Sequence, residues 1–237
     1  MLCKIAELIV EVPEAGGIAP RCQGYLWPYE QVPDIVIRED RYRRENWPHL
    51  SYDDFCYMES GELFYANLLR FGGLMLHASA VEVDGRVYLF SGPSGMGKST
   101  HARLWLDYLG NKARIINDDK PALRMIDNVW YAYGTPWCGK DGINLNIGAP
   151  LAGICFLKRG QVNTIRRLAI REAAASVISQ TLRKFWKSEA IELLFNHIDK
   201  LVRMVPIYEL ACTIDIDAAK LSHSSMSESA KELEQCE

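Results

Sequence analysis

The stretch Ser91-Gly92-Pro93-Ser94-Gly95-Met96-Gly97-Lys98-Ser99-Thr100 ties this chain to one local geometry, a glycine-rich turn between a strand and a helix. The apolar run Arg86 to Phe90 before it reads as a buried strand, and Thr100 to Leu106 after it reads as a helix opening. That is the context of a P-loop. Gly92, Gly95 and Gly97 can take backbone angles closed to other residues, so successive N–H groups can turn inward around phosphate oxygens. The helix after the loop adds its N-terminal dipole. Lys98 supplies a mobile positive charge for β- and γ-phosphates, and Ser99 a hydroxyl for a divalent metal. Ser94, Met96 and Thr100 complete the nucleotide-binding positions of the loop. A glycine turn without a ligand is the alternative, but it does not explain why all four fixed positions fall between strand and helix signals.

At 237 residues the chain is long enough to bury a substantial core, as one domain or a domain with a small appendage. Its 49% hydrophobic and 24% charged residues and formal charge of −3 describe an ordinary globular protein and give no basic excess that points to nucleic acid. The cysteines Cys3, Cys22, Cys56, Cys138, Cys155, Cys212 and Cys236 are odd in number and nowhere spaced C-x-x-C, which reads as reduced thiols. The N-terminus lacks the regions of a signal peptide, and no uncharged apolar run reaches membrane-spanning length. A cytoplasmic protein with no membrane partner is the expectation.

Residues 2–12 read as a strand, interrupted by Pro13, Gly16, Gly17 and Pro20. Residues 1–60 are aromatic, proline-punctuated and poor in helical period, a β-rich segment packed on the core. The charge run Arg38 to Arg44 reads as a solvated loop, with contact to an acidic partner as the alternative. A catalytic domain is expected over 61–222, and residues 223–237, rich in serine and glutamate, as a mobile tail. Within the domain, Gly61 to Phe71 suits a helix stopped by Gly72-Gly73. Residues 74–81 and 83–90 flank Asp84-Gly85, a hairpin signal that delivers the chain into the P-loop and argues for a mixed sheet. Ala113 to Ile116 is a short strand closing with Asn117-Asp118-Asp119. Carboxylates at such a strand end suit a magnesium ligand or a catalytic base, and equally a solvated turn. Further strands are expected at 122–125, 129–133, 154–157 and 205–212. The loop from Gly134 to Gly142, with Trp137, Lys140 and Asp141, either closes over phosphates or substrate or is a surface turn. Residues 171–201 have helical spacing, as one bent helix or two, and His197 on them reads as a surface or packing residue.

Taken together, Leu76-His77-Ala78-Ser79-Ala80-Val81, the hairpin, the P-loop and Asn117-Asp118-Asp119 resemble the catalytic core shared by HPr kinase/phosphorylase and ATP-dependent PEP carboxykinase. His77 precedes Gly92 by fifteen residues and Asp118 follows Lys98 by twenty, spacings similar to the family's. The resemblance covers residues 73–160 and implies a PEP carboxykinase-like fold, a mixed β-sheet with flanking helices. It also implies ATP and Mg2+ as cofactors and His77, Lys98, Asp118 and Asp119 as catalytic residues. Ser99 and one of Asp118 and Asp119 would hold the metal while the other carboxylate takes a proton from the attacking hydroxyl. His77 would sit beside the γ-phosphate as metal ligand or partner of the base. The chain is shorter than HPr kinase/phosphorylase, no glutamate-arginine-glycine stretch comes after its second glycine loop, and no oxaloacetate-binding residues are apparent. A compact HPr-kinase-related protein is what remains.

The implied activity is transfer of the γ-phosphate of ATP to a hydroxyl, of a serine in a peptide or protein or of a small molecule. Trp137, Lys140 and Asp141 are candidate neighbours of that acceptor, and homo-oligomer formation is left open. Two alternatives stand beside it. One is an ordinary P-loop nucleoside or nucleotide kinase, with a parallel sheet and a lid for which Arg166 to Arg171 is the obvious segment. The other is an ATP-binding sensor or scaffold that transfers nothing.

Overall fold

The structure, a computed structural model, describes residues 1–14, 16–38, 44–182 and 188–234. In the N-terminal part these form β1 (Leu2–Ile5), β2 (Leu8–Glu11), β3 (Ile35–Val36) and α1 (Tyr52–Leu68). The central part holds β4 (Gly73–Met75), β5 (Ala78–Val83), β6 (Arg86–Ser91), α2 (Lys98–Leu109), β7 (Ala113–Asn117), β8 (Ala122–Ile126) and β9 (Val129–Tyr133). The rest is β10 (Gly148–Arg159), β11 (Thr164–Arg167), α3 (Ile170–Gln180), α4 (Ser188–Met204), β12 (Ile207–Cys212) and α5 (Ile216–Glu234). The charged run at 38–44 falls, for residues 39–43, outside the described residues. Among the described residues no helix is long and apolar enough to cross a membrane.

Nine strands form one curled, mixed sheet, β4-β8-β9-β10-β6-β5-β7, with β12 on the other edge of β10 and β11 beyond it. β10 is the hinge of the curl. Its first residues pair antiparallel with β9 and its later residues pair parallel with β6 and β12. β5 and β6 form the expected antiparallel hairpin, with Asp84 and Gly85 both at positive φ, as a two-residue type I′ turn requires. β7 then adds antiparallel to β5. The strand before the P-loop is thus half of a tight hairpin, unlike the parallel arrangement of the ordinary P-loop kinase. Relative to β6, strands β7, β10 and β12 run parallel and β5 antiparallel. The carboxyl ends of β6, β7, β10 and β12 and the start of β5 therefore share one edge.

β6 is buried on both faces, and its alternation sorts the two cores. Val87 and Leu89 join the cluster under α3 and α4, while Tyr88 and Phe90 join the cluster under α2 and α5. A third cluster packs β1, β2 and α1 against Met75, Tyr133 and Trp137.

Several elements depart from the sequence reading. Residues 2–12 are not one strand but the β1–β2 hairpin, turned at Ala6 and Glu7, both at positive φ. Neither residue type is a turn signal. Residues 74–81 are likewise interrupted: β4 pairs with β8, whereas β5 pairs with β6 and β7. The helix read from Gly61 starts at Tyr52, capped by Ser51, whose Oγ accepts from the Asp54 N–H at 3.1 Å. Gly61 lies inside it, where a Cβ would come within 2.9 Å of the Trp137 ring. Residues 166–167 are no lid: they lie in β11, and Arg166 is bound to Glu172 and Glu209. Residues 171–201 contain two helices, α3 and α4.

The expected tail instead continues as α5. Its Met226 is fully buried against the sheet, and Ser222 accepts a hydrogen bond from the Trp105 indole at 2.8 Å and pairs with His101 at 3.0 Å. His101 is boxed by Phe90, and burial lowers its pKa from 6.5 to about 4. The folded state therefore holds it neutral where the unfolded chain would bind a proton. Its contribution is full above pH about 6.5 and is lost as pH falls from there towards about 4, a swing of about 3 kcal/mol. Urea unfolding across that range should show this loss, and His101→Gln should flatten it.

Candidate functional site

Ser91 ends β6, and from there the backbone swings through Gly92 at φ 145°, Gly95 at 76° and Gly97 at 96° before α2 begins at Lys98. These angles favour glycine and leave the α2 N–H groups pointing into the loop. Lys98 is buried, and its Nζ donates to the carbonyls of Gly92 at 3.0 Å and Pro93 at 3.3 Å. An ammonium has three donors, so one remains for an anion. Burial lowers the Lys98 pKa, and the charge of Asp119 works in the opposite direction.

His77 occupies the break between β4 and β5. Its N–H donates to Gln180 O at 2.8 Å instead of joining the ladder, and Ser91 Oγ donates to His77 O at 2.8 Å. The ring is thereby held beside the first residue of the P-loop. From there Nε2 meets Asp119 Oδ1 at 3.0 Å, with the two side chains 30% and 25% exposed.

Asn117 positions the acidic pair. Fully buried, it donates from Nδ2 to Thr135 O at 3.1 Å and Trp137 O at 3.3 Å, while Oδ1 accepts from the N–H groups of Asp119 at 3.0 Å and Lys120 at 2.7 Å. This Asx turn fixes the backbone at the end of β7. Tyr65 and Thr135 add hydrogen bonds to the Lys120 carbonyl. Asp119 Oδ2 lies 3.2 Å from Lys120 Nζ, so each of its two oxygens has a side-chain partner. Burial pushes its pKa up, but the His77 hydrogen bond and the Lys120 charge outweigh this and hold it below the usual carboxylate value. Asp118 differs. Its Oδ1 accepts from the Gly139 N–H at 2.5 Å, and its carboxylate also accepts from its own backbone N–H. Burial raises its pKa, the Gly139 hydrogen bond opposes that, and Asp119 and Asp141 raise it further.

His77, Ser94, Gly95, Gly97, Lys98, Ser99, Thr100, Asp118 and Asp119 line one cleft of about 570 Å³, together with Gly139, Lys140 and Asp141. Gly92 and Met96 belong to the same loop but not to this wall. Asp141 is bound to Arg103 of α2 at 2.7 Å, an exposed pair that latches the loop after β9 at little energy. Trp137 is the exception among the expected acceptor neighbours. It is fully buried, stacked on Phe64 with centroids 4.7 Å apart, and its Nε1 donates to Ser60 Oγ at 3.1 Å. It supports the loop from below. His197 is a packing residue bound to Leu69 O at 2.8 Å.

Ser99 Oγ and the two carboxylates offer oxygen donors only. Among the described residues no three His, Cys, Asp or Glu side chains group to hold a metal. Magnesium suits such a sparse set, since it takes one or two protein carboxylates with water and phosphate oxygens. Sequence reasoning missed Asn117 as the anchor, Lys120 as the second partner of Asp119, and Gly139. Lys120 comes directly after the acidic pair and was legible as a charge; the other two act through backbone groups that carry no sequence signal. Trp137→Ala should cost about 3–5 kcal/mol in urea unfolding, as a core truncation does.

A family model described as "SynChlorMet cassette protein ScmC" matches residues 56–217. Among curated proteins no sequence matches. Among solved structures, the HPr(Ser) kinase/phosphatase from Coxiella burnetii is similar at 12% identity with a TM-score of 0.40, over 68% of this chain and 93% of that one.

Proposed function

The chain belongs to the family of SynChlorMet cassette protein ScmC, and we propose that it is an ATP- and magnesium-dependent phosphotransferase acting on a hydroxyl, a serine of a peptide or protein before a small molecule. The observation that carries this reading is the His77–Asp119 pair, 3.0 Å apart, in the same cleft as Lys98 and Asp118. A P-loop alone serves any nucleotide-binding protein; a paired carboxylate facing it serves a reaction. The sequence resemblance to HPr kinase/phosphorylase supports the same assignment, and the antiparallel β5–β6 pairing speaks against an ordinary nucleoside kinase.

In this reading the P-loop N–H groups and Lys98 hold the β- and γ-phosphates and draw off negative charge as it builds on the leaving oxygen. The acceptor oxygen bonds to the γ-phosphorus, the bond to the β–γ bridging oxygen breaks, and ADP leaves. Asp119 takes the hydroxyl proton. Its lowered pKa keeps it ionised at neutral pH, and the hydroxyl becomes acidic as its bond to phosphorus forms. His77 and Lys120 hold the two carboxylate oxygens of Asp119 and fix their direction. Ser99 and Asp118, which line the cleft together, would hold magnesium, which when bound neutralises phosphate charge and orients the γ-phosphoryl group. Lys140 at the exposed rim adds a positive charge where an acceptor enters.

Transfer from γ-labelled ATP to a panel of serine peptides, proteins and small alcohols tests this directly. Lys98→Ala and Asp119→Asn should each lower transfer by about 10²-fold or more. Equal transfer by these variants sinks the mechanism, and tight ATP binding without transfer to any acceptor favours the sensor alternative. Gly139→Ala tests the part given to Asp118. A Cβ there would lie 2.9 Å from Asp118 Oδ2, so the carboxylate must shift. Transfer should fall by about 10²-fold while the melting temperature changes little.

A further inference from the structure

The sheet edge that carries the P-loop holds a second cleft, of about 400 Å³. It lies on the side of β6 where β10 and β12 end, opposite the side of β5 and β7 that carries His77 and the carboxylates. Gly95, Gly97 and Thr100 belong to both clefts, so the P-loop is the wall between them. Open α/β sheets bind ligands at the carboxyl ends of their parallel strands, and here three such strands converge.

The lining of this cleft has a different character from that of the first. Met96, Leu104, Leu157 and Ile214 give it an apolar surface, with Cys212 at the end of β12. Ile214 is 80% exposed, an apolar side chain at the rim with little protein over it. Arg159 reaches towards the loop, its guanidinium donating to Gly95 O at 3.4 Å, and makes no ion pair among the described residues. Neighbouring Lys158 is taken up by Glu209 at 2.5 Å. One uncommitted cation therefore stands between the phosphate loop and the apolar surface.

A triphosphate in the loop has a direction. With its γ-phosphoryl between Lys98 and Asp119, its α-phosphate lies towards the first turn of α2, and Thr100 is the residue there that faces both clefts. The group attached to the α-phosphate must then leave on the second side. We propose that this cleft is the nucleoside site, with a purine base lying on Met96, Leu104, Leu157 and Ile214 and Arg159 at the junction of ribose and α-phosphate. The assignment rests on reading the loop as a triphosphate site. A cleft of this size with a mostly apolar lining and one or two polar groups fits a ligand of nucleoside dimensions.

Cys212 provides the readout. The other described cysteines are buried, so Cys212 is the accessible thiol among the described residues. Burial and the Asp215 charge raise its pKa, so the alkylation is run at mildly alkaline pH. With magnesium present, the rate of N-ethylmaleimide addition at Cys212, measured by peptide mass spectrometry, is compared with no ligand, with tripolyphosphate and with ATP. Calorimetry measures the affinity of both ligands. ATP should slow the addition about tenfold, and tripolyphosphate should bind yet leave it unchanged. Ile214→Ser should weaken ATP about tenfold and leave tripolyphosphate unaffected. If ATP binds in a Lys98-dependent way but Cys212 reacts unhindered and Ile214→Ser binds ATP normally, the nucleoside lies elsewhere and the kinase reading survives. Equal protection by tripolyphosphate would mean that the loop, not a base, shields the thiol, which also overturns the assignment. Failure of both ligands to bind removes the phosphate site and this proposal with it.

Discussion

The register that sets Ala78 opposite Ser91 in the β5–β6 hairpin is the constraint on which the site depends. It brings the chain entering β5 level with the chain leaving β6, so a residue just before one strand must stand beside the loop just after the other. Ser91 Oγ closes the arrangement by donating to the His77 carbonyl at 2.8 Å. A shift of one residue would turn every side chain of β5 to the opposite face and exchange its two cores. The register is therefore protected by the same burial that stabilises the sheet.

Around that hairpin, charge and burial are divided unevenly between two adjacent carboxylates. Asp119 is surrounded by His77 and Lys120 and stays ionised despite its burial. Asp118, one residue earlier, faces a backbone N–H and two other acids. The turn just past β7 sends neighbouring side chains to different surroundings, and Asn117 holds it rigid, with Oδ1 bonded to the turn and Nδ2 to the carbonyls of Thr135 and Trp137. The pair can thus do two different jobs with one residue type.

Much of this was legible in the residues. The P-loop, the Asp84-Gly85 turn and the strand closing in Asn117-Asp118-Asp119 depend on local chemistry, and each lies where its pattern indicates. Mixed rather than parallel pairing followed from the hairpin alone. The misreadings have a common origin in tertiary contact. Trp137 looked like an acceptor neighbour because it sits in a glycine-rich loop, yet that loop folds its ring inward against Gly61 and Phe64. The serine-rich end of the chain looked unattached because its helix is tied down by a few small or singly spaced residues, Ser222 and Met226 among them. Arg166 looked mobile because its partners Glu172 and Glu209 stand on other elements.

The length of β10 bears on the order in which the molecule assembles. The hairpin, the P-loop and the acidic turn are built from residues 73–119, and the β5–β6 and β5–β7 pairings close over short stretches of chain, while the His77 N–H waits for Gln180 and Asn117 for Thr135 and Trp137. β6, however, finds its parallel neighbour only when Leu151 to Phe156 arrive, and β10 then waits for Ile207 to Cys212. Parallel pairings across such separations close slowly, because the intervening chain must be ordered before any contact rewards it. The hairpin that feeds the P-loop can therefore pair early, whereas the backbone partner that holds His77 at the loop and the parallel neighbours of β6 come only with residues 151–212.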